Sequence, residues 1–251
     1  MAGPDFLGIG AQKAATTWLF KRLSMHEQIY FPSGKEMHYW DRRDRQENGP
    51  VSRYVERFTS KLAQHIGGKM GDITPAYMTI SDDRIREIHS LVPNVRLILV
   101  TRNPVDRAIS AVAQILRQRE IDVCTVSEAE ADKLLFSGHV LQQGLYAENL
   151  IRWMKVFERE QILIFDNEDI KIDPKGVLKR VSNHLSIDPD YWDLIDIKAL
   201  SARTSATPDR LQITENQRRR LIDHYATSAD LLQNIMGRPV PWSSLFLERA
   251  A

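Results

Sequence analysis

The chain has 251 residues, of which 43% are hydrophobic and 27% charged, a balance typical of a globular protein and unlike that of a disordered chain. Its 34 basic and 33 acidic residues give a net charge of +1, which argues against a nucleic-acid binder held by bulk charge. No apolar run has the roughly 20 residues of a membrane helix, no secretory signal is visible, and the single cysteine excludes an internal disulfide, so we expect a cytoplasmic protein without a membrane span.

Short apolar runs alternate with amphipathic segments along the chain. The runs that predict buried strands are residues 6–10, 28–31, 69–73, 95–101 and 161–165. The segments that predict helices are residues 15–25, 51–62, 82–91, 105–119, 144–158, 174–185 and 215–236, the last as one helix or two. Residues 121–138 favour neither state. Because strands that alternate with helices form parallel sheets, we expect an α/β fold with a central parallel sheet flanked by helices, as a single domain over residues 1–251.

The segment Lys13-Ala-Ala-Thr-Thr-Trp18 lies where the first predicted strand turns into a helix. The free N–H groups of a helix start bind anions, Lys13 adds a positive charge, and Thr16 and Thr17 add hydroxyl donors, so a phosphate or sulfate group is the expected ligand. The segment does not match the phosphate loop G-x-x-x-x-G-K-[ST], because two alanines separate Lys13 from the threonines. The alternative is a basic residue in an ordinary strand–helix turn.

A second candidate segment follows the strand predicted over residues 95–101. Arg102 comes directly after this strand, and Ser110 lies two turns into the next predicted helix. Ligands of open α/β sheets bind outside the carboxyl ends of strands, so Arg102 and Ser110 are predicted to contact one phosphate, the arginine through a forked contact. The alternative is that Arg102 caps a helix while Arg107 pairs with a surface acid.

These two segments resemble the nucleotide-binding motifs of sulfotransferases. Lys13-Ala-Ala-Thr-Thr-Trp18 is similar to their 5′-phosphosulfate loop, and Arg102-Asn-Pro-Val-Asp-Arg-Ala-Ile-Ser110 to their 3′-phosphate motif. The resemblance implies a P-loop-like nucleotide-binding fold and 3′-phosphoadenosine 5′-phosphosulfate (PAPS) as sulfuryl donor, with adenosine 3′,5′-bisphosphate (PAP) as product and no metal. The residues that it assigns to nucleotide binding are Lys13, Ala14, Ala15, Thr16, Thr17, Trp18, Arg102 and Ser110, and it also makes Lys13 catalytic.

The segment Lys35-Glu-Met-His-Tyr-Trp-Asp41 is similar to the segment that holds the catalytic glutamate of heparan sulfate sulfotransferases. The resemblance implies Glu36 as the general base that takes the acceptor's proton. His38 is the second candidate because its ordinary pKa suits neutral pH, and the alternative is a histidine that orients Glu36 or Asp41. Residues 201–208 lie where the family has a basic loop over the nucleotide, which adds Arg203, Thr204 and Ser205 to the expected nucleotide contacts.

The chain also departs from this pattern. Ala15 stands where the family often has glycine, so we expect a slightly different loop geometry. Ile73 replaces a lysine that is common before Thr-Pro in the heparan branch, which weighs against a heparan-like acceptor. The paired cysteines and the membrane anchor of Golgi members are absent, which indicates a soluble, bacterial-type member.

Two other functions remain open at this point. A small-molecule kinase of the P-loop type needs lysine directly before serine or threonine and an acid for magnesium, and the first is missing. A non-catalytic nucleotide-binding protein is possible on the same fold. The sequence shows no HExxH motif and no Cys/His cluster, so no metal site is predicted. The acceptor is expected to be a small molecule or carbohydrate-like, no nucleic-acid partner is expected, and no oligomeric state is predicted.

Overall fold

The computed structural model describes residues 3–42, 49–60, 67–202 and 211–247. Within these ranges five strands form one parallel sheet in the order β2-β3-β1-β4-β5. The strands are β1 (Phe6–Gly10), β2 (Ile29–Tyr30), β3 (Lys69–Ile73), β4 (Arg96–Thr101) and β5 (Ile162–Asp166). β1 and β4 are neighbours in the sheet, and the chain that follows β1 leads to β2 and β3 on the other side of β1. Ligands of open α/β sheets bind outside the carboxyl ends of strands at such a change in strand order, and we call this region the crevice.

Helices connect the strands and cover the sheet. They are α1 (Thr16–Leu23), α2 (Val51–Thr59), α3 (Asp82–Leu91), α4 (Pro104–Gln118), α5 (Glu128–Leu135), α6 (Gly138–Gln142), α7 (Tyr146–Met154), α8 (Asn167–Ile172), α9 (Pro174–Leu185), α10 (Ile197–Ser201), α11 (Glu215–Met236) and α12 (Ser244–Leu247). Short 3₁₀ helices span Pro75–Thr79, Arg159–Gln161 and Asp190–Leu194.

The inner strands are buried on both faces. All five residues of β1 are buried, and so are five of the six residues of β4. Parallel strands covered by helices on both sides have no polar face, which is why these segments read as continuous apolar runs in the sequence. The predicted α/β class and central parallel sheet are confirmed. The assignment of residues 1–251 to one domain stays a prediction.

Two predictions about helices are corrected by the structure. The helix predicted over residues 144–158 begins later and ends earlier, at Tyr146–Met154. Gly144 lies outside it, where a Cβ would come within 2.5 Å of the Tyr225 ring, so this glycine permits close packing against α11. Residues 121–138, to which no element was assigned, contain α5, whose first turn has a capping box between Ser127 and Glu130.

Candidate functional site

The loop after β1 presents the amino end of α1 at the carboxyl edge of the sheet. Lys13 and Ala15 in this loop have positive φ angles of 68° and 72°, and α1 begins directly afterwards at Thr16. Among the described residues no side chain caps α1, and its first turn holds no acidic residue. Free helix amides and the positive end of the helix dipole therefore face the crevice, an arrangement that suits a phosphate or sulfate.

Ala15 takes a conformation that glycine adopts more readily. Its φ of 72° and ψ of 21° lie in the left-handed region, where a Cβ is unfavourable. The replacement of the family's glycine therefore leaves an alanine in a glycine-like backbone conformation.

The loops after β1 and β4 are in direct contact. Arg102 follows β4, and its Nη1 donates a hydrogen bond of 3.0 Å to the carbonyl oxygen of Lys13. The carbonyl of Arg102 in turn accepts a bond of 2.8 Å from the Tyr146 hydroxyl at the start of α7. Burial, together with the positive charges of Arg117 and Arg102, lowers the pKa of Lys13. The crevice thus concentrates positive charge.

Ser110 and Arg107 both lie on α4. The sequence predicts a phosphate contact for Ser110, and a surface ion pair for Arg107 was part of the alternative. Ser110 is half-buried. Arg107 is fully buried and donates to the carbonyl of Val140, so it is not a surface ion-pair partner. The sequence-based alternative for Arg107 is therefore wrong, because the helix turns this guanidinium into the core.

The segment after β2 brings three ionisable groups together. Glu36 and His38 have positive φ angles of 64° and 51°. Nε2 of His38 lies 3.2 Å from Oε2 of Glu36, and its Nδ1 lies 2.9 Å from Oδ2 of Asp41. One imidazole therefore bridges two carboxylates.

Lys35 is a functional candidate that the sequence analysis did not single out. Its Nζ contacts Oε1 of Glu36, so both carboxylate oxygens of Glu36 have a partner. Burial and the nearby charge of Lys13 lower the pKa of Lys35 to about 8. The amide of Glu36 donates to the carbonyl of Ile73, and Ile73 pairs with Gly8 of β1, so the Glu36 segment lies near the carboxyl end of β1. Only the position of Lys35 beside Glu36 pointed to it in the sequence, and its burial depends on the fold.

The aromatic residues near these motifs belong to the core. Tyr39, Trp40, Tyr77 and Tyr146 each expose 2% or less of their surface. They pack within the core and do not line an open pocket.

In the described ranges, no three His, Cys, Asp or Glu side chains lie close enough to hold a metal ion. The described helices include none long and apolar enough to cross a bilayer.

The expected contacts Arg203, Thr204 and Ser205 lie outside the described residues. Leu200 and Ala202, shortly before them in the chain, accept hydrogen bonds from side chains of α1. Nε1 of Trp18 and Nε of Arg22 both donate to the carbonyl of Leu200, at 2.7 and 3.1 Å, and Nη2 of Arg22 donates to the carbonyl of Ala202 at 2.8 Å.

Comparison with known proteins identifies the family of this chain. The family model described as "Sulfotransferase domain" matches residues 3–220 of the chain. The chain belongs to the sulfotransferase family. The structure of a sulfotransferase from Alicyclobacillus acidocaldarius covers 98% of this chain and 99% of its own, with a TM-score of 0.69 and 24% identity, which shows a shared fold.

Two relatives carry names from heparan sulfate modification. Heparan sulfate glucosamine 3-O-sulfotransferase 6 of Homo sapiens is 28% identical over 73% of this chain and 52% of its own length. Bifunctional heparan sulfate N-deacetylase/N-sulfotransferase 4 of Mus musculus is 28% identical over 75% of this chain and 23% of its own. The chain thus spans about half the length, or less, of these relatives.

Proposed function

We propose that this sulfotransferase-family chain moves the sulfuryl group of PAPS to a hydroxyl or amino group of an acceptor. One observation carries the proposal, namely the hydrogen bond from Arg102 to the carbonyl of Lys13. The segments that resemble 5′- and 3′-phosphate contacts thereby meet in one crevice. A single nucleotide with anionic groups at both positions suits such a crevice better than a mononucleotide with one phosphate chain.

The residues present fit that nucleotide by charge and by hydrogen-bond chemistry. The uncapped start of α1 and the hydroxyls of Thr16 and Thr17 are suited to its 5′ end, with the backbone of Ala14 and Ala15 and the Trp18 turn forming the loop. Arg102 and Ser110 are assigned to the 3′-phosphate. Arg203, Thr204 and Ser205 are expected to complete the binding site. The bound nucleotide supplies the sulfuryl group that is transferred.

The proposal assigns catalytic roles to three side chains. Lys13 stabilises the negative charge that develops on the leaving phosphate oxygen, and its partial burial strengthens that interaction. Glu36 accepts the proton of the acceptor hydroxyl or amine. His38, held between Glu36 and Asp41, orients the base, although its own imidazole is the alternative proton acceptor.

The proposed acceptor is small or carbohydrate-like. Both named relatives are heparan sulfate sulfotransferases by name, and the first name specifies glucosamine, which favours a sugar. In this chain, however, the position before Thr74-Pro75 is Ile73, which is fully buried and brings no cation to the crevice. We therefore propose an acceptor other than heparan sulfate itself.

The competing functions are weaker on the same observations. A P-loop kinase lacks its Lys-Ser/Thr pair here. A non-catalytic nucleotide-binding protein has no need of Glu36 in contact with Lys35 and His38.

Nucleotide binding tests the proposal first. In calorimetric titration with chelator present, we expect PAP to bind the wild type, and Arg102→Ala to weaken binding by about 10- to 100-fold because it removes charge-assisted hydrogen bonds. Arg86→Ala is the matched control, since Arg86 is an exposed ion-pair residue on α3. Metal-dependent binding of ATP without binding of PAP would favour the kinase instead.

Turnover tests the role of Glu36. We expect Glu36→Gln to retain PAP affinity and to lose about 100-fold or more of the transfer from PAPS, because a general base contributes factors of that size. Transfer would be measured on simple sugars and simple phenols, with the exposed Glu56→Gln as control. Equal turnover in Glu36→Gln would remove Glu36 as the base.

A further inference from the structure

Asp72, in β3, is a fully buried carboxylate below the segment that carries Glu36. Its Oδ1 accepts hydrogen bonds from Oγ1 of Thr74 at 2.7 Å and from the backbone N–H of Met37 at 3.4 Å. Its Oδ2 accepts from the hydroxyls of Tyr77 at 2.7 Å and Tyr54 at 3.4 Å. Asp72 therefore connects the end of β3 to the candidate base segment.

The partners of Asp72 extend the same connection. Four consecutive amides, those of residues 36–39, donate to groups in residues 72–77. Their acceptors, in order, are the carbonyl of Ile73 at 3.1 Å, Oδ1 of Asp72 at 3.4 Å, Oγ1 of Thr74 at 3.5 Å and the hydroxyl of Tyr77 at 3.1 Å. The hydroxyls of Thr74 and Tyr77 accept hydrogen bonds from the amides of this segment and donate to Asp72, so each hydroxyl connects the Asp72 carboxylate to the segment's backbone.

The hydrogen-bond partners of Asp72 suit a carboxylate acceptor. The backbone N–H of Met37 can only donate, and the hydroxyls of Thr74 and Tyr77, which each accept from an amide of residues 38–39, have their own protons to donate to Asp72. Burial raises the pKa of Asp72, while the hydrogen bonds from Thr74 and Tyr77 oppose that effect. Among the described residues, no lysine, arginine or histidine forms an ion pair with Asp72.

The segment above Asp72 needs such an anchor because its backbone is strained. Glu36 and His38 both carry a Cβ and both have positive φ angles, which are unfavourable for such residues unless the surroundings impose them. The amides of Met37 and Tyr39, next to these positions, are those bound by Asp72 and Tyr77.

We propose that Asp72 is a positioning residue for sulfuryl transfer. Through Met37, Thr74 and Tyr77, its carboxylate holds Glu36 and His38 in the arrangement in which one imidazole bridges two carboxylates. The proposal rests on the proposed role of Glu36 and adds a residue that does not itself touch the nucleotide or the acceptor.

Two matched pairs of variants separate positioning from general stability. Thr74→Val removes the relaying hydroxyl at nearly constant volume, whereas Thr74→Ser retains it. Tyr77→Phe removes a hydroxyl that contacts both Asp72 and the amide of Tyr39, whereas Tyr54→Phe removes one whose hydrogen bond goes to Asp72. Asp72→Asn is the direct variant, because the NH₂ group of the asparagine side chain would face donors and could not accept their hydrogen bonds.

The first measurement is hydrogen exchange of residues 36–39 by mass spectrometry, with PAP affinity and melting temperature recorded for each variant. We expect Asp72→Asn, Thr74→Val and Tyr77→Phe to accelerate exchange in this segment by about tenfold or more, since local opening then costs less free energy. Thr74→Ser and Tyr54→Phe should stay close to wild type. PAP affinity should change less than about twofold in all of them, because none contacts the proposed nucleotide site.

The second measurement is kcat and KM for PAPS with a simple sugar or a simple phenol as acceptor. The same three variants should lose kcat with little change in KM for PAPS. Wild-type exchange and kcat in Asp72→Asn would overturn the proposal, and so would equal effects of Tyr77→Phe and Tyr54→Phe. If Asp72→Asn does not fold, the threonine and tyrosine pairs decide. If the wild type fails to bind PAP, the proposed function is wrong, while the exchange result still decides whether Asp72 positions the segment.

Discussion

At the scale of single residues, the two loops of the candidate site share an unusual backbone conformation. Lys13, Ala15, Glu36 and His38 all have φ angles between 51° and 72° although none is glycine. Each such residue costs roughly 1–2 kcal/mol relative to an ordinary conformation. Strain of this kind persists where the surrounding structure imposes it, and here it coincides with the groups assigned to nucleotide binding and proton transfer.

Ala15 allows that strain to be measured. Ala15→Gly should leave the free energy of unfolding unchanged or raise it by about 1 kcal/mol, because the relief of strain offsets or exceeds the added entropy of the unfolded chain. The neighbouring Ala14 is fully buried and does not have a positive φ, so Ala14→Gly should lower that free energy by about 1 kcal/mol. Urea unfolding compares the two. Equal losses in both variants would contradict the assignment of strain to Ala15.

Lys35 predicts a pH dependence of nucleotide binding. Its pKa is lowered to about 8, so it loses its proton as the pH rises from 7 to 9. That loss removes a positive charge beside Lys13, and PAP affinity should fall by several-fold, on the order of one charge interaction at a partly exposed site. Lys35→Met should bind more weakly at pH 7 and show a flatter profile. A wild-type affinity that is constant across this range would exclude a contribution from Lys35.

At the scale of elements, α1 links the nucleotide loop to the end of α10. Arg22 donates to the carbonyls of Leu200 and Ala202, while Trp18 holds Leu200 independently. Arg22→Met removes both arginine contacts and retains much of the aliphatic packing. Because Ala202 directly precedes the expected contacts Arg203 to Ser205, we expect about tenfold weaker PAP binding, the equivalent of one charged hydrogen bond. Calorimetry checks this. Arg84→Met, on α3, is the control, and equal affinity in Arg22→Met would argue against the link.

The elements also show where sequence patterns are sufficient and where they fail. The five predicted strands all occur, and for β1, β4 and β5 the signal is a local apolar run, as expected of buried parallel strands. The capping box that starts α5 is present in the sequence at Ser127 and Glu130, but the apolar pattern of the residues after it is too weak to predict a helix. Gly144 was assigned to a helix, and its neighbours in the sequence do not reveal the Tyr225 ring against which it packs.

At the scale of the whole molecule, the part of the chain beyond the family match is joined to the sheet. Nε1 of Trp242 donates a 2.8 Å hydrogen bond to Asp166 at the end of β5, a fully buried carboxylate that also accepts from Thr101. Described residues after 220, up to 247, therefore pack against the sheet, although the family model ends at 220.

Trp242→Phe should destabilise the fold by about 1–3 kcal/mol, because Asp166 loses a donor while it remains buried. Trp192→Phe is the matched control and should cost less, since Trp192 donates to the neutral hydroxyl of Ser182. Burial raises the pKa of Asp166, so the folded state binds this proton more tightly than the unfolded state, and stability falls as pH rises through that pKa. The deficit of Trp242→Phe should therefore be larger at pH 7 than at pH 4.5 in thermal unfolding. A deficit independent of pH would assign the loss to packing alone.

Local sequence patterns were sufficient to predict the α/β class, the positions of the strands and the two segments that resemble nucleotide-binding motifs, because apolar periodicity and short contiguous motifs are local properties. They also place Glu36 and His38 in one segment. Three relations are visible only in the folded chain: β1 lies between β3 and β4, Arg102 reaches Lys13 across 89 residues, and Asp72 accepts a hydrogen bond from the Glu36 segment. These relations depend on which strands pair and which side chains are buried together, and both are set by packing of the whole sheet rather than by any single segment.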